Sequence, residues 1–172
     1  METTPVTAAT LAEVKLFAGA GDQALRVLAE HAVTLHLKAE DFVFREGEPA
    51  SELYVLLSGR VEVRKDAKPG SSARIGQMVP TSWFGEMSVI DEQPRSATIV
   101  AVEPSVVLKV TREVLDRLVK DHVRDYLQIV LNIGRELSRR LRHADVMIAN
   151  LVANYPDNFA RDTLLSKLGG TP

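Results

Sequence analysis

The sequence contains no cysteine. Disulfides, thiolate metal sites and cysteine nucleophiles are therefore excluded. It also lacks a long hydrophobic run: no stretch approaches the ~18 apolar residues that a membrane-spanning helix needs. Its opening, METTPVTAAT, has neither a basic start nor an apolar run, so it does not read as a secretory signal. Together these absences lead us to expect a cytoplasmic protein. Aromatic residues are scarce, at 5%, and neither sign of charge dominates, the net charge being −2. Such a chain has no global attraction for nucleic acid. The four histidines, His31, His36, His122 and His143, are scattered, and no metal site is expected among them.

What is present is an ordinary globular composition, 45% hydrophobic and 26% charged over 172 residues. That length suits one domain with a helical appendage. The texture changes twice along the chain. Residues 1–33 read as a helical segment, with Leu11, Val14, Leu16 and Phe17 at short helical spacing. The run GAGD then breaks the pattern, and Asp22 is expected to cap a second helix. Residues 34–110 read as short strands between turns. Leu35 and Leu37 alternate with His36 and Lys38, then FVF, LYVLL and VEVR follow, and KDAKPGSS reads as a polar turn. The last strands are expected near 97–102 and 106–110. Strands of about five residues at this spacing predict an antiparallel roll or barrel.

Residues 111–172 read as helical again. Thr111 opens one helix with a capping signature, TREV. A longer helix is expected over 123–152, and a short one over 158–168. In the long helix Leu127, Val130, Leu131, Gly134, Leu137, Leu141, Ala144, Ile148 and Leu151 recur mostly at steps of three, four or seven. This is the narrow seam of a coiled-coil pair. The helix either pairs with a second copy or packs on its own roll. Arg135, Arg139, Arg140 and Arg142 on it read as a solvated face.

One segment, 84–101, FGEMSVIDEQPRSATIVA, carries chemistry. Gly85 and Glu86 precede a short apolar turn, a polar loop follows, and Pro94, Arg95 and Ser96 lead into a strand. A glycine before a helical turn lets backbone N–H groups face an anion. Arg95 offers a planar fork suited to two phosphate oxygens, and Ser96 adds a hydroxyl. A carboxylate such as Glu86 beside a phosphate is unfavourable unless it accepts from a sugar hydroxyl. Glu86 and Arg95 in a structural salt bridge is the plain alternative. Trp83 reads as packing at the pocket mouth.

This segment resembles the phosphate-binding cassette of the cyclic nucleotide-binding domain family. That family includes bacterial catabolite activator proteins, regulatory subunits of cyclic-nucleotide-dependent kinases and cyclic-nucleotide-gated channels. The stretch EGEPASELYVLLSGRVEV, with Gly47 and Gly59, is similar to the family's early strands and turn glycines. The resemblance implies a mainly β fold: an antiparallel, jelly-roll-like double-stranded β-roll with N-terminal helices and a long C-terminal helix. It implies that Arg95 pairs with the cyclic phosphate, that Glu86 accepts from the ribose 2′-hydroxyl, and that Gly85 and Met87 supply backbone contacts. Ala97 would present its N–H to the phosphate, and Ser96 would hold phosphate or approach the base. The ligand would be cAMP, or cGMP, with no cofactor.

There are departures from the family pattern. Where the family has Pro-Gly-Asp before the aromatic residue, this chain has Pro80, Thr81, Ser82 and Trp83. After Arg139, Arg140 and Leu141, the Thr-Ser pair that the bacterial activators offer to adenine is absent. Ala144 has no hydroxyl, while Asp145 can accept from an amino group of either purine. The expected function is a cyclic nucleotide-binding sensor, not an enzyme, because no nucleophile–base pair accompanies the cassette. A metal-dependent cupin-like enzyme would need inward ligands, and only His36 lies near a strand. The alternative is a catabolite-activator-type transcription regulator in a truncated or partner-dependent form. About 20 residues follow Leu151, too few for a helix-turn-helix, so no specific DNA binding is expected.

Overall fold

The computed structural model describes residues 6–68 and 71–154. It begins with α1 (Ala8–Ala12), a 3-10 turn (Lys15–Phe17) and α2 (Asp22–His31). Eight strands follow: β1 (Val33–Leu37), β2 (Phe42–Phe44), β3 (Leu53–Ser58), β4 (Val61–Lys68), β5 (Ser71–Met78), β6 (Trp83–Phe84), β7 (Thr98–Ala101) and β8 (Ser105–Val110). A one-turn helix, α3 (Met87–Asp91), lies between β6 and β7, and the chain continues into α4 (Arg112–Asp121) and α5 (Val123–Asn154). The strands form two four-stranded sheets, β1-β8-β3-β6 and β2-β7-β4-β5, with antiparallel pairing throughout. This is the expected double-stranded roll with flanking helices.

The two sheets bury one core between them. Tyr54, Leu56, Phe84 and Val107 come from the first sheet, and Phe44, Val61, Ile99 and Ala101 from the second. Side chains alternate across a strand, so Leu53, Val55, Leu108 and Val110 face away from this core. They are nevertheless buried. A strand buried on both faces reads as a continuous apolar run, which is why LYVLL does not alternate. Matching apolar surface comes from the buried faces of the helices: Leu11, Leu16, Phe17, Leu25, Leu28, Leu118 and Ile129.

Two local expectations are corrected. Gly21, not Asp22, stands at the N-cap of α2; Asp22 lies in the first helical turn and pairs with Arg26 one turn on. The polar segment KDAKPGSS is mostly strand. β4 runs to Lys68, β5 resumes at Ser71, and the pair extends from Val61↔Met78 to Lys68↔Ser71, with register shifts between Val63 and Arg64 and between Asp66 and Lys68. β5 is an edge strand with mostly exposed residues, so burial imposed no apolar alternation on it. β6, at two residues, is too short to show a period. Thr111 does stand at the N-cap of α4, with extended backbone and no side-chain cap bond. The helix expected at 158–168 lies outside the described residues.

The chain divides into two compact units, the first ending at Ile133 and the second starting at Gly134. Within the first unit, α5 uses a face other than the expected seam. Ile129, Asn132 and Ile133 are buried, while Leu127 and Leu131 are exposed. Asn132 Nδ2 donates to the carbonyls of Leu16 and Ala18, both at 2.9 Å, and Gly21 N–H donates to Asp125 Oδ1 at 2.7 Å. These bonds satisfy carbonyls and an N–H that the turns before α2 leave outside regular structure. Replacing Asn132 with Ala leaves two carbonyls without that donor, and a buried unsatisfied group costs about 1–3 kcal/mol. N132A is therefore expected to lower unfolding stability by about 2 kcal/mol, read as the urea midpoint at unchanged slope. An unchanged midpoint would show that the helix start is held by Ile129 and Ile133 alone. In the second unit, Leu141, Ile148 and Leu151 of the seam are exposed, and Glu136 pairs with Arg139 and Arg140. No helix among the described residues is long and apolar enough to cross a membrane.

Candidate functional site

The segment 84–101 leaves the first sheet at β6 and enters the second at β7. Tyr54↔Phe84 and Val55↔Trp83 pairing fixes its start, and buried Trp83 is part of that anchor. Gly85 has φ of +80°, a conformation that disfavours any side chain. A Cβ there would also meet Arg95 Nη1 at 2.7 Å and the Glu52 carbonyl at 3.2 Å. The glycine thus turns the chain and lets the arginine approach. Glu86 follows at the N-cap of α3, and its carbonyl accepts from the N–H groups of Val89 and Ile90 at 3.1 and 3.2 Å. Its side chain is buried, with 2% of the residue exposed.

The far end of the loop is clamped by main-chain bonds. Arg95 N–H donates to the Glu48 carbonyl and Gly47 N–H donates to the Arg95 carbonyl, both at 2.9 Å. Lys65 Nζ donates to the Ser96 carbonyl at 2.7 Å and to Glu46 Oε1 at 2.6 Å. Glu46 N–H in turn donates to Thr98 Oγ1 at 2.9 Å. Ser96 and Met87 are exposed, and Ser96 Oγ lies 3.6 Å from Met87 Sδ. Ala97 is buried where β7 begins.

Arg95 is the centre of the arrangement. Only 2% of its side chain is exposed. Nη1 donates to the carbonyls of Glu52 and Gly85 at 2.8 and 3.0 Å, and Nη2 donates to Glu52 Oε2 at 3.0 Å. The guanidinium carbon sits 4.1 Å from the centre of the Phe44 ring and 5.5 Å from that of Tyr54. Burial pulls the guanidinium below its ordinary pKa, against the opposing influence of Tyr54 and Glu52. Glu52 is itself shared, since its Oε1 accepts from Lys109 Nζ at 3.0 Å. Burial opposes charge on Glu52. Hydrogen bonds from Lys109 and the Ser51 N–H, with the charges of Lys109 and Arg95, outweigh it and hold the carboxyl below the usual range. The bond to Glu52 raises Lys109 correspondingly.

The structure therefore brings Gly85, Glu86, Met87, Arg95, Ser96 and Ala97 into one loop-and-turn unit. Asp145 lies exposed on α5 in the second unit. Reasoning from sequence missed Glu52, Lys109, Phe44 and Tyr54 as partners of the arginine. Lys109 carries no motif, and only the strand register Tyr54↔Lys109 places it here. Glu52 stands alone before an apolar run, which signals a strand start and nothing more. Arg95 forms an ion pair with Glu52, 43 residues away in sequence.

The protein is thus an antiparallel two-sheet roll interrupted by a glycine turn that carries a buried glutamate and a buried arginine. The chain belongs to the cyclic nucleotide-binding domain family, whose model matches residues 34–122. Among similar proteins is a CRP-like cAMP-activated global transcriptional regulator of Mycobacterium tuberculosis. It is 28% identical over 155 residues, which make up 90% of this chain and 67% of the relative. A cyclic AMP receptor protein of Thermus thermophilus is 35% identical over 111 residues, 60% of this chain and 46% of that one. The crystal structure of the T. thermophilus catabolite activator protein superposes with a TM-score of 0.69 at 29% identity, covering 80% of this chain and 62% of that one. A cyclic nucleotide-binding domain from Methylobacillus flagellatus reaches 0.72 at 25% identity, with 83% and 80% covered.

Proposed function

We propose that this chain senses a cyclic nucleotide, cAMP in preference to cGMP, in the pocket formed by 84–101. Arg95 pairs with the cyclic phosphate, Glu86 accepts from the ribose 2′-hydroxyl, and Gly85 and Met87 give backbone contacts. Ala97 N–H points to the phosphate, and Ser96 holds phosphate or approaches the base. The observation that carries this reading is a buried guanidinium fixed by main-chain carbonyls beside a buried glutamate. Burying a cation is costly. A site that holds one in place is suited to an incoming anion. The preference for cAMP rests on two relatives whose names carry it, the mycobacterial regulator and the Thermus receptor. Asp145 as an acceptor for a purine amino group is compatible with both bases.

The module works by binding without chemistry on the nucleotide, in the cytoplasm. Phosphate captured by Arg95 draws the cassette inward and shifts the population of the helices beyond Thr111. The exposed seam of α5, with Leu127, Leu131, Leu141, Ile148 and Leu151, suits pairing with a second copy. The similarity to the mycobacterial regulator over 90% of this chain favours a second reading, transcription regulation in a truncated or partner-dependent form. A gel shift with and without cAMP separates the two, and no specific DNA binding is expected. The test of the main reading is calorimetric titration with cAMP, cGMP and linear AMP. Micromolar binding of cAMP, weaker cGMP and much weaker AMP is expected; no binding of any below about millimolar would overturn it.

A further inference from the structure

Outside the motif, the Glu52 carboxylate holds two cations at once beside the site, Arg95 on one oxygen and Lys109 on the other. We propose that Glu52 is a built-in competitor for the incoming phosphate: its carboxylate takes part of the charge of Arg95 in the ligand-free protein and passes to Lys109 when phosphate arrives. This rests on the reading of Arg95 as the phosphate partner.

The geometry separates orientation from charge. Two main-chain carbonyls, of Glu52 and Gly85, both accept from Nη1, and the Phe44 ring lies against the guanidinium face. Backbone and packing therefore set the direction of Arg95 whatever side chain stands at position 52. The Glu52 carboxylate adds a contact to Nη2 alone. Its main effect on the site is a negative charge at salt-bridge distance from the cation that must attract an anion. Like charges brought together on one arginine oppose each other, and burial of the arginine limits the screening. Lys109 makes the transfer feasible. It sits on β8 opposite Tyr54, already 3.0 Å from the other oxygen, and Glu52 keeps 24% of its side chain exposed. A carboxylate that loosens its hold on Arg95 thus retains a partner and access to water.

Calorimetry with cAMP on the full chain tests this through charge-removing substitutions that keep shape. E52Q is expected to tighten binding roughly tenfold, a gain of ~1.4 kcal/mol. K109M leaves Glu52 with Arg95 as its remaining cation, and should weaken binding about fivefold in the natural background. In the E52Q background K109M should change nothing, because there is no carboxylate left to share. A purely structural Glu52 would give the opposite sign, since loss of an anchor weakens binding. If the unsubstituted chain binds cAMP and E52Q binds within about twofold of it or more weakly, the competitor role is wrong and the phosphate reading stands. If K109M weakens binding equally in both backgrounds, Lys109 acts on the ligand directly and the shared-carboxylate scheme falls. If the unsubstituted chain binds no cAMP, the reading of Arg95 fails and the competitor role fails with it.

Discussion

Arg95→Ala is expected to weaken cAMP binding by about 2–5 kcal/mol, the range seen when one partner of a buried charge pair is removed. The size follows from burial. The guanidinium side chain is 2% exposed and lies over Phe44, so water screens its attraction for a phosphate poorly. No other cation in the segment 84–101 can substitute, since Arg95 is its single basic residue. The protein should remain folded but less stable. The carbonyls of Glu52 and Gly85 lose their donor, while Glu52 keeps Lys109. Arg95→Lys should recover little of the affinity. An ammonium lacks the planar fork, and a single Nζ has no geometry that meets two carbonyls, one carboxylate and a phosphate together. Calorimetry checks the affinity and circular dichroism the fold. Unchanged affinity in a folded R95A protein would remove Arg95 from the site.

The second large effect is on stability. Gly59→Ala should cost at least ~3 kcal/mol, combining a left-handed residue with overlap against main chain. Gly59 has φ of +83° between β3 and β4. A Cβ there would lie 2.5 Å from the Pro104 carbonyl, 2.7 Å from Ser105 Cα and 2.3 Å from Ser105 Oγ. Those atoms cannot yield cheaply. Ser105 Oγ accepts from Arg60 N–H at 3.1 Å, and Val102 N–H donates to the Arg60 carbonyl at 3.0 Å, so the turn is bonded to the chain between β7 and β8. Moving one moves the other. Urea unfolding measures the loss; a midpoint close to that of the natural protein would mean that the two segments separate easily.

Gly59 and Gly85 also show what a sequence can reveal. Gly85 reads as an anion-facing glycine from its neighbours and Gly59 as a turn glycine from the family resemblance, because a turn is a local event that its own few residues specify. The same holds for the order of Glu86, Arg95 and Ser96 around a short helical turn. Apolar alternation gave β1 and the first half of β4. It failed for β5, an edge strand with mostly exposed residues, and for β6, two residues long. The repeat along α5 marked a seam, but the first unit buries Ile129, Asn132 and Ile133 instead. A helical period says that a face is apolar. It does not say which of two faces the fold covers.

The residues themselves determined the strand pattern of the roll and the glycine turn before Glu86, because strand alternation and turn chemistry act over a few positions. Only the tertiary structure decided what surrounds Arg95. Glu52 reaches it across 43 residues through strand pairing and loop closure, Lys109 arrives by register opposite Tyr54, and Phe44 supplies a ring from the other sheet. The hold of Asn132 on Leu16 spans 116 residues. Contacts of that kind depend on how two sheets and a helix stack, a property of the whole chain that no local spacing encodes.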